Sequence, residues 1–449
     1  MTVLCHNDLI PDYRGLEWLS GNLPTEGAPW PSPSEYSRIY CSGDEFEAME
    51  EDIHDYAGTK FWLWPDRPQY FFTDMHADTD AFLRSLVASG GIEKTGPEDS
   101  NMVLTESGHK AEFVFGGDCF DKGPHNLRLF RAIGALRDTG ANVSLLVGNH
   151  DLRTYIGLVC AGRKDTRHAH LFVRMGKKAV PLFKEIFDAY LAGGDRQEAA
   201  SDDEVREAIF PDKSWYEEFP EAVAGLIPPA RIEKELRRIR EKTVEFQARC
   251  NMVGLSLGDV YSALKKARQL FLHPDGEFGW YFQDLKLAYK AGSFLMVHGG
   301  VDNHVAAILR SGGVDALNEA FSLAMKEDLF ELYNGPLGNV FRTKYRPNDF
   351  PFTDQGLKNI HAAGVYAILH GHRNLLRGQQ ITLRNGLLNF ECDATVNAGS
   401  RADEGLDGVG GAVTVIHPDS HILGISTDYP LVKVFDPAHV CGLTTVVPV

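Results

Sequence analysis

The chain has 449 residues, enough for one large domain or roughly two to three ordinary ones. Its residues are 43% apolar and 24% charged, which is the composition of a globular protein with a sizeable core. The 45 Lys and Arg residues against 62 Asp and Glu give a net charge of −17, and so acidic a surface argues against non-specific binding to nucleic acid or membrane headgroups.

The cysteines and the first residues indicate the compartment. Seven cysteines, at positions 5, 41, 119, 160, 250, 392 and 441, include no C-x-x-C pair, so they provide neither a zinc ribbon nor a disulfide framework. The first fifteen residues lack a basic segment followed by an apolar one, and the chain has no run of about 18 apolar residues. We therefore expect a cytoplasmic protein without a membrane span.

From Tyr70 onward, short apolar runs end abruptly in polar motifs. The five runs are Tyr70–Phe72 before Asp74-Met75-His76, Phe113–Phe115 before Gly117–Gly123, Val143–Val147 before Gly148-Asn149-His150-Asp151, Phe294–Val297 before His298-Gly299-Gly300, and Ala367–Leu369 before His370-Gly371-His372. Apolar runs of this length predict buried strands. Helical spacing over 78–89 and 125–139 lies between them, and the alternation predicts an α/β core with its ligands beyond the carboxyl ends of the strands.

Residues 160–285 have a different pattern, typical of helices with dense charge. The segment 231–242 predicts an exposed helix with charge pairs of alternating sign. We interpret 160–285 as a helical insertion, or cap, that interrupts a core formed by 68–159 and 286–430. Residues 1–67 are expected to be an irregular N-terminal extension over the main domain, and 431–449 a C-terminal tail.

Each polar motif alone is weak evidence, because D-x-H, G-D-x-x-D-x-G and G-N-H-D also occur in ordinary turns. All five, however, occur once, in order, each after an apolar run. Carboxylate, imidazole and amide oxygen donors together suit Mn²⁺, Fe or Zn²⁺ rather than Ca²⁺. Two such ions about 3.5–4 Å apart can lower the pKa of a bridging water and clamp an in-line phosphoryl displacement. One carboxylate must bridge such a pair, and Asp118 is a candidate.

The ordered motifs resemble the calcineurin-like metallophosphoesterases. The forms G-D-x-x-D-[R/K]-G and V-H-G-G, with Asp393–Asn397 and Gly410–Val413 near the end, are most similar to the phosphoprotein phosphatase (serine/threonine phosphatase-like) branch of bacterial type. The similarity covers roughly 68–155 and 290–428. It implies an α/β fold with a central β-sandwich of two mixed sheets flanked by helices, into which the helical insertion is placed.

The resemblance also implies roles for individual residues. Two divalent ions (Mn, Fe or Zn) would be held, the first by Asp74, His76 and Asp118 and the second by Asp118, Asn149, His298 and His372. His150 would be the general acid, oriented by Asp121, whose carboxylate is expected to raise the pKa of the imidazole. Lys122 stands where the branch usually has Arg and could contact phosphate. Arg342, in Gly335–Arg342, is similar to a substrate-side Arg of bacterial relatives, although pairing with surface acids is an equal alternative.

Three positions depart from the family pattern. The first motif reads T-D-M-H-A-D instead of G-D-x-H-G, the third ends in Asp151 instead of Glu, and Asn374 stands where many members of the broader group have a second His ligand. Cys119 lacks the C-x5-R loop of cysteine phosphatases, so a packed cysteine is expected. His168 and His170 could face the site, but a solvated loop is the simpler interpretation.

These observations favour a binuclear metal-dependent hydrolase of phosphomonoesters, with phosphoprotein-like substrates preferred, in which a metal-bound hydroxide attacks phosphorus directly. A nucleotide or dinucleoside polyphosphate hydrolase is the alternative within the enzyme class. The alternative from another class of protein is a non-catalytic metal-binding scaffold. The presence of every ligand position and of His150 argues against it. The expected partner is a phosphorylated substrate, either a phosphoprotein or a small phosphate ester, with no non-specific nucleic-acid binding and no membrane. The insertion is expected to restrict large substrates.

Overall fold

A computed structural model describes residues 6–30, 43–193 and 201–437. Its strands are β1 (Gly27–Pro29), β2 (Gln69–Phe72), β3 (Ile92–Lys94), β4 (Met102–Leu104), β5 (Glu112–Phe115), β6 (Asn142–Leu146), β7 (Leu285–Lys286), β8 (Tyr289–Ala291), β9 (Phe294–Met296), β10 (Ala367–His370), β11 (Gln380–Arg384), β12 (Leu387–Glu391), β13 (Ala412–His417), β14 (His421–Ser426) and β15 (Val432–Phe435). Eight of them form one sheet in the order β1-β15-β14-β13-β2-β5-β6-β7, and five form a second in the order β11-β12-β10-β9-β8. Strands β3 and β4 pair as a separate ribbon.

Helices surround these sheets. They are α1 (Gly43–Thr59), α2 (Thr79–Ala88), α3 (Glu106–Lys110), α4 (Asn126–Asp138), α5 (Asn149–Cys160), α6 (Leu171–Met175), α7 (Val180–Tyr190), α8 (Asp202–Ile209), α9 (Trp215–Ala222), α10 (Pro229–Met252), α11 (Leu257–Phe271), α12 (Gly279–Asp284), α13 (Asn303–Glu327), α14 (Leu329–Asn334), α15 (Pro336–Asn339), α16 (Asp354–Ala362) and α17 (Ala398–Glu404). Both larger sheets are mixed, since β2, β5 and β6 pair in parallel while β13 pairs antiparallel with β2, and β9 and β10 pair in parallel while β8 pairs antiparallel with β9. The predicted mixed α/β class is confirmed.

Alternate residues of the strands face different partners, as the pleat of a strand requires. On β2, Phe71 belongs to a buried cluster that also contains Phe294 of β9 and Phe390 of β12, so the two sheets contact each other through it. Phe72, the next residue, belongs to the cluster that includes Phe82 of α2. The eight-stranded sheet therefore has one face toward the smaller sheet and the other toward helices, which explains why Tyr70–Phe72 and Phe113–Phe115 are continuous apolar runs.

The N-terminal segment is not irregular throughout, contrary to the expectation for 1–67. Residues 27–29 form β1, which extends the large sheet in parallel beside β15, and Gly43–Thr59 is a helix. The end of the core also differs, because β15 lies beyond residue 430, the expected boundary. Tertiary pairing decides both outcomes, since three residues of Gly, Ala and Pro carry no strand signal of their own. The rest of the expected tail, 438–449, and residues 1–5 and 31–42 of the extension lie outside the described residues.

The described part of 160–285 is largely helical, ending in the short strand β7. It packs against the motif loops through aromatic rings: Phe120 of the second motif lies 5.3 Å (centroid to centroid) from Phe271 of α11 and 4.5 Å from Phe130 of α4. The charge pairs expected along 231–242 are observed in part. Among the described residues, Arg237 and Glu241 form an ion pair within this segment at 3.8 Å, whereas Glu235 instead binds Arg174 of α6 at 2.7 Å. Tertiary contacts thus redirect the helix charges.

No helix in the described ranges is both long and apolar enough to cross a membrane.

Candidate metal centre

The five motifs meet because the strands that precede them run in parallel within their sheets. Asp74 follows β2, Asp118 follows β5 and Asn149 follows β6, and these three strands are neighbours. His298 and His372 follow β9 and β10, which are neighbours in the second sheet. The carboxyl ends of parallel strands share one edge, so the side chains beyond them converge.

The motif loops hold their residues in strained backbone conformations. Asp74, His76, Asp118 and His372 have φ of 57°, 45°, 59° and 68°, in the left-handed region that residues with a side chain seldom occupy. Such strain clusters at functional sites, where the surrounding structure enforces it. Ala77 has φ 56° at the position where the resembled pattern has Gly, so the departure in the first motif leaves this backbone shape in place at a modest cost.

Two glycines are required by close approach. A Cβ at Gly148 would lie 2.2 Å from Oδ1 of Asp118, and one at Gly371 would lie 2.1 Å from Oδ2 of Asp74. The glycines of the third and fifth motifs therefore allow the loops to reach the carboxylates.

Asp118 lies at the centre of the converged side chains. Two groups of three donors each have their potential ligand atoms within 4.8 Å of one another: His76, Asp118 and His150, and Asp118, His298 and His372. Oδ2 of Asp118 is 3.6 Å from Nε2 of His76 and 3.4 Å from Nε2 of His298. Asp118 is 2% exposed. One buried carboxylate is thus shared between two sets of potential ligands.

Asp74 and Asn149 complete the neighbourhood. Oδ1 of Asp74 is 3.6 Å from Nε2 of His76, and its Oδ2 accepts hydrogen bonds from the backbone N–H of His372 (3.0 Å) and from Thr73 Oγ1 (2.7 Å). Oδ1 of Asn149 is 3.3 Å from Nε2 of His298. All six residues that the resemblance implies as ligands therefore lie together. The first group of donors, however, includes His150 where the resemblance implies Asp74.

The hydrogen bonds of the imidazoles fit a metal site. Nδ1 of His76 is 2.9 Å from the carbonyl oxygen of Phe120, and Nδ1 of His298 is 2.8 Å from that of Gly116. A carbonyl only accepts, so each Nδ1 is the donor and each Nε2 points toward Asp118. Nε2 of His76 is buried without a hydrogen-bond partner. An orphaned imidazole nitrogen beside two carboxylates is the arrangement that a cation would satisfy.

The protonation states follow from burial and from Asp118. Burial, with Lys122 adding to it, lowers the pKa of His76 to about 3, so its imidazole is neutral and offers a lone pair. Burial opposes the ionisation of Asp118, but attraction to His298 and His150 lowers its pKa well below the usual value. Burial by itself would lower the pKa of His298, but the negative charges of Asp118 and Asp74 outweigh burial and raise this pKa to about 10. A bound cation would displace that proton.

His372 presents a different nitrogen. Its Nε2 lies 3.1 Å from the carbonyl oxygen of Arg342, which must accept the hydrogen bond, so Nδ1 is the atom left for a ligand. The backbone of Arg342 therefore orients His372. The guanidinium of Arg342 donates to the carbonyl oxygen of Gly338 at 2.9 Å and lies over the ring of Tyr333, and it forms no ion pair with a described acidic residue.

His150 and Asp121 form a buried pair. Nδ1 of His150 donates to Oδ2 of Asp121 at 2.7 Å, and the backbone N–H of His150 donates to Oδ1 of Asp118 at 2.8 Å. These contacts place the ring and leave its Nε2 available. Burial lowers the pKa of His150 well below its usual value against the opposing attraction of Asp118, and the positive charges of Arg153 and Lys122 add to the lowering. The expectation that the carboxylate partner raises this pKa is wrong here, because desolvation is the larger effect.

Asp151 has a role that sequence reasoning missed. Its carboxylate accepts hydrogen bonds from the backbone N–H groups of Gly148 (2.8 Å), Asp118 (2.6 Å) and Cys119 (2.9 Å), and so ties the second motif to the third. The sequence did contain a signal for the contact with Gly148, since an acidic residue three positions after Gly148 is typical of the first turn of a helix such as α5. Its reach across to the neighbouring loop has no sequence signature.

The remaining candidates lie away from the ligand groups or are inert. Asn374 donates to Glu404 Oε1, an exposed contact, so the structure gives it no ligand role. Cys119 is buried, and burial raises the pKa of its thiol well above the usual value, which argues against a nucleophile. His168 pairs with Asp165, whereas His170 is buried and not in a solvated loop.

A cavity of about 530 Å³ adjoins the site. Asn149, Arg342 and His372 line it from the motif side, and His170 and Arg231 line it from residues 160–285. The inserted helices therefore form one wall of the space that opens onto the candidate ligands.

Tyr333, which lines this cavity, is expected to make stability depend on pH. Burial disfavours its phenolate, but Arg174, Arg153 and Arg342 outweigh burial and lower its pKa from 10.0 to about 6. The unfolded chain keeps this proton where the folded chain has lost it, so the free energy of unfolding should rise with pH between these values and the gain should disappear below about 6. Urea denaturation over pH roughly 5 to 9 should show this rise in the wild type and not in Tyr333→Phe.

Tyr289→Phe is the control for that prediction, because the pKa of Tyr289 is raised by burial to about 12 and the residue stays neutral over the range. Parallel curves for the wild type and Tyr333→Phe would contradict the prediction.

The chain matches no protein-family model and no curated protein. Among solved structures, it is similar to a cold-active protein-tyrosine phosphatase of a psychrophilic Shewanella species, with 15% identity over 85% of this chain and 84% of that chain and a TM-score of 0.41. It is also similar to a protein serine/threonine phosphatase from Saccharomyces cerevisiae that resembles human phosphatase PP5, with 12% identity over 88% and 90% of the two chains and a TM-score of 0.38. Likeness at this level assigns no activity.

Proposed function

We propose that this chain is a metal-dependent phosphoesterase that hydrolyses phosphate monoesters at a binuclear site. The observation that carries the proposal is the single buried carboxylate, Asp118, shared by two groups of potential ligands. The cluster shared by the two mixed sheets further supports the sandwich of the metallophosphoesterase fold. Donors that combine carboxylate, imidazole and amide oxygen fit Mn, Fe or Zn.

Two divalent ions, when bound, would activate water and neutralise charge on the phosphoryl group. Asp118 would be shared between them, with Asp74 and His76 on one side and Asn149, His298 and His372 on the other. Carbonyl groups hold His76 and His298 in the tautomer that presents Nε2. Asp151 maintains the spacing of the second and third motif loops through three backbone contacts.

His150 would protonate the leaving oxygen through Nε2, since Asp121 occupies its Nδ1. A bound phosphate adds negative charge beside the ring and so favours the protonated imidazole, counteracting the effect of burial. Lys122, half-buried after Asp121, would attract the phosphate as a point charge, and Arg342 lies on the wall of the adjoining cavity.

The test is elemental analysis of the purified full-length chain combined with a panel of phosphate esters. We expect bound Mn, Fe or Zn and turnover of p-nitrophenyl phosphate, which removal of metal by EDTA abolishes and addition of Mn²⁺ restores. Turnover that survives complete metal removal would refute the metal-dependent mechanism. Stoichiometric metal without turnover of any ester would instead identify a metal-binding scaffold.

A nucleotide or dinucleoside polyphosphate hydrolase remains a second candidate. The positive charge of the cavity beside the site favours a substrate with several phosphates.

A further inference from the structure

The cavity beside the candidate metal centre continues into a second one of about 320 Å³. Both are lined by Arg153, Arg174, Arg238 and Tyr333. The first reaches Asn149 and His372 of the motif loops, and the second lies between α10 and the segment around Lys178. Together they form a track that leads from the candidate ligands along the inserted helices.

This track is strongly basic in an acidic protein. Eight Lys and Arg residues against one Glu and one Asp line the first cavity, a local charge of +6, whereas the whole chain carries −17. The second cavity adds Lys177, Lys178 and Lys242, against Glu245. A cleft lined by one sign of charge focuses the field and attracts ligands of the opposite sign.

Several of these cations have side-chain donors that are not used within the described part of the chain. The side chains of Arg153, Lys234 and Arg238 form no hydrogen bond and no ion pair within that part of the chain, although all three line the first cavity. By contrast, Arg174 binds Glu235 at 2.7 Å and Arg346 binds Asp349 at 3.3 Å. The unpaired charges leave donors available to an anion.

Helix α10 supplies three of the cations from one face. Arg231, Lys234 and Arg238 stand at i, i+3 and i+7, which brings them to the same side of a helix. Like charges this close repel one another. Burial lowers the pKa of Lys242, on the next turn, to about 8, and the positive charges of Arg153 and Arg174 add to this lowering. Clustering of this kind is costly without a counter-charge, which a polyanion would supply.

We propose that the inserted helices form a subsite for additional phosphate groups, so that the substrate is a small oligophosphate with at least two phosphates beyond the one removed. This inference rests on the proposed phosphoesterase function. The volume of the cavity suits a small molecule and not a folded protein. The terminal phosphate would lie beside Asn149 and His372, and the following ones beside Arg153 and Arg238.

The reaction balances as a hydrolysis. The bond between the terminal phosphorus and the bridging oxygen breaks, and a bond to the oxygen of water forms. One proton of that water goes to solvent, and the leaving oxygen takes a proton from His150, which solvent later restores. The products are orthophosphate and a chain shortened by one phosphate.

Binding can be tested without turnover, by isothermal titration calorimetry of the full-length chain in EDTA. We expect inorganic tripolyphosphate to bind at least about 100-fold more tightly than orthophosphate, since each charge-assisted contact contributes about tenfold. Arg238→Gln and Lys234→Gln should each weaken tripolyphosphate binding about tenfold. Arg237→Gln, the same change on the same helix at a residue that lines neither cavity, should leave it unchanged.

Kinetics with excess Mn²⁺ then separate the two proposals. The ratio of kcat/KM for tripolyphosphate to that for p-nitrophenyl phosphate should fall about tenfold in Arg238→Gln and stay constant in Arg237→Gln. Turnover of p-nitrophenyl phosphate with no preference for tripolyphosphate, or a preference for phosphopeptides, would overturn the subsite and leave the phosphoesterase intact. Tight binding of tripolyphosphate without turnover of any ester would refute the phosphoesterase and keep the anion site. Equal binding in wild type, Arg238→Gln and Lys234→Gln would refute the site.

Discussion

Asp118→Asn is expected to lower kcat on p-nitrophenyl phosphate by about a thousandfold. The carboxylate is shared by both groups of potential ligands, and an amide of the same shape removes its charge and one acceptor oxygen. Both ions should therefore bind more weakly, and the charge that would hold them together is lost. The measurement is kcat together with elemental analysis of the variant, whose metal content should fall below that of the wild type.

A matched control is Asp302→Asn. Asp302 is as buried as Asp118, at 1% exposed against 2%, but its carboxylate accepts hydrogen bonds from Val305 and Asn339 and belongs to neither group of donors. Its replacement should change kcat by less than about threefold, since an amide oxygen still caps the helix. Full activity and full metal content in Asp118→Asn would contradict a binuclear site built around this residue.

The second large effect is expected for His150→Asn, and it should depend on the leaving group. The phenolate of phenyl phosphate is a poor leaving group that needs a proton, so loss of the general acid should lower kcat on this ester about 10²- to 10⁴-fold. The p-nitrophenolate ion departs without a proton, and its release should be affected far less. His150 has its Nδ1 held by Asp121 at 2.7 Å, which is the orientation expected of a proton donor through Nε2.

The same variant distinguishes two roles that the geometry allows. His150 lies in one group of donors with His76 and Asp118, so it could also be a metal ligand. Equal losses on both esters, with lower metal content, would indicate a ligand and refute the general acid. His168→Asn is the control, because His168 pairs with Asp165 and belongs to neither donor group.

The inserted helices share a cavity with the candidate metal centre. Basic side chains of α10 therefore face the same space as Asn149 and His372, two of the proposed ligands. Phe271 of the inserted helices packs against Phe120, and the loop that contains Phe120 also carries Asp118 and Asp121. A substrate that engages the inserted helices would therefore contact elements that also support the catalytic loop.

The sequence by itself determined the α/β class, the central strands and the residues that converge. Apolar runs such as 113–115 and 143–147 predict strands because burial on both faces requires them, and the polar residues that follow must lie at the carboxyl edge. Helix spacing likewise placed α2 and α4 within one residue of their observed ends. These features are local, and local patterns are what periodicity records.

Only the tertiary structure decided the features that depend on distant parts of the chain. Residues 27–29 became a strand because β15 offers an unpaired edge, and His150 lost basicity because the fold buries it. The positive track arises where Arg153 of α5, Arg174 of α6 and Arg238 of α10 face one cavity. Charges and burial act through space, so their net effect follows from which elements pack together and not from their order along the chain.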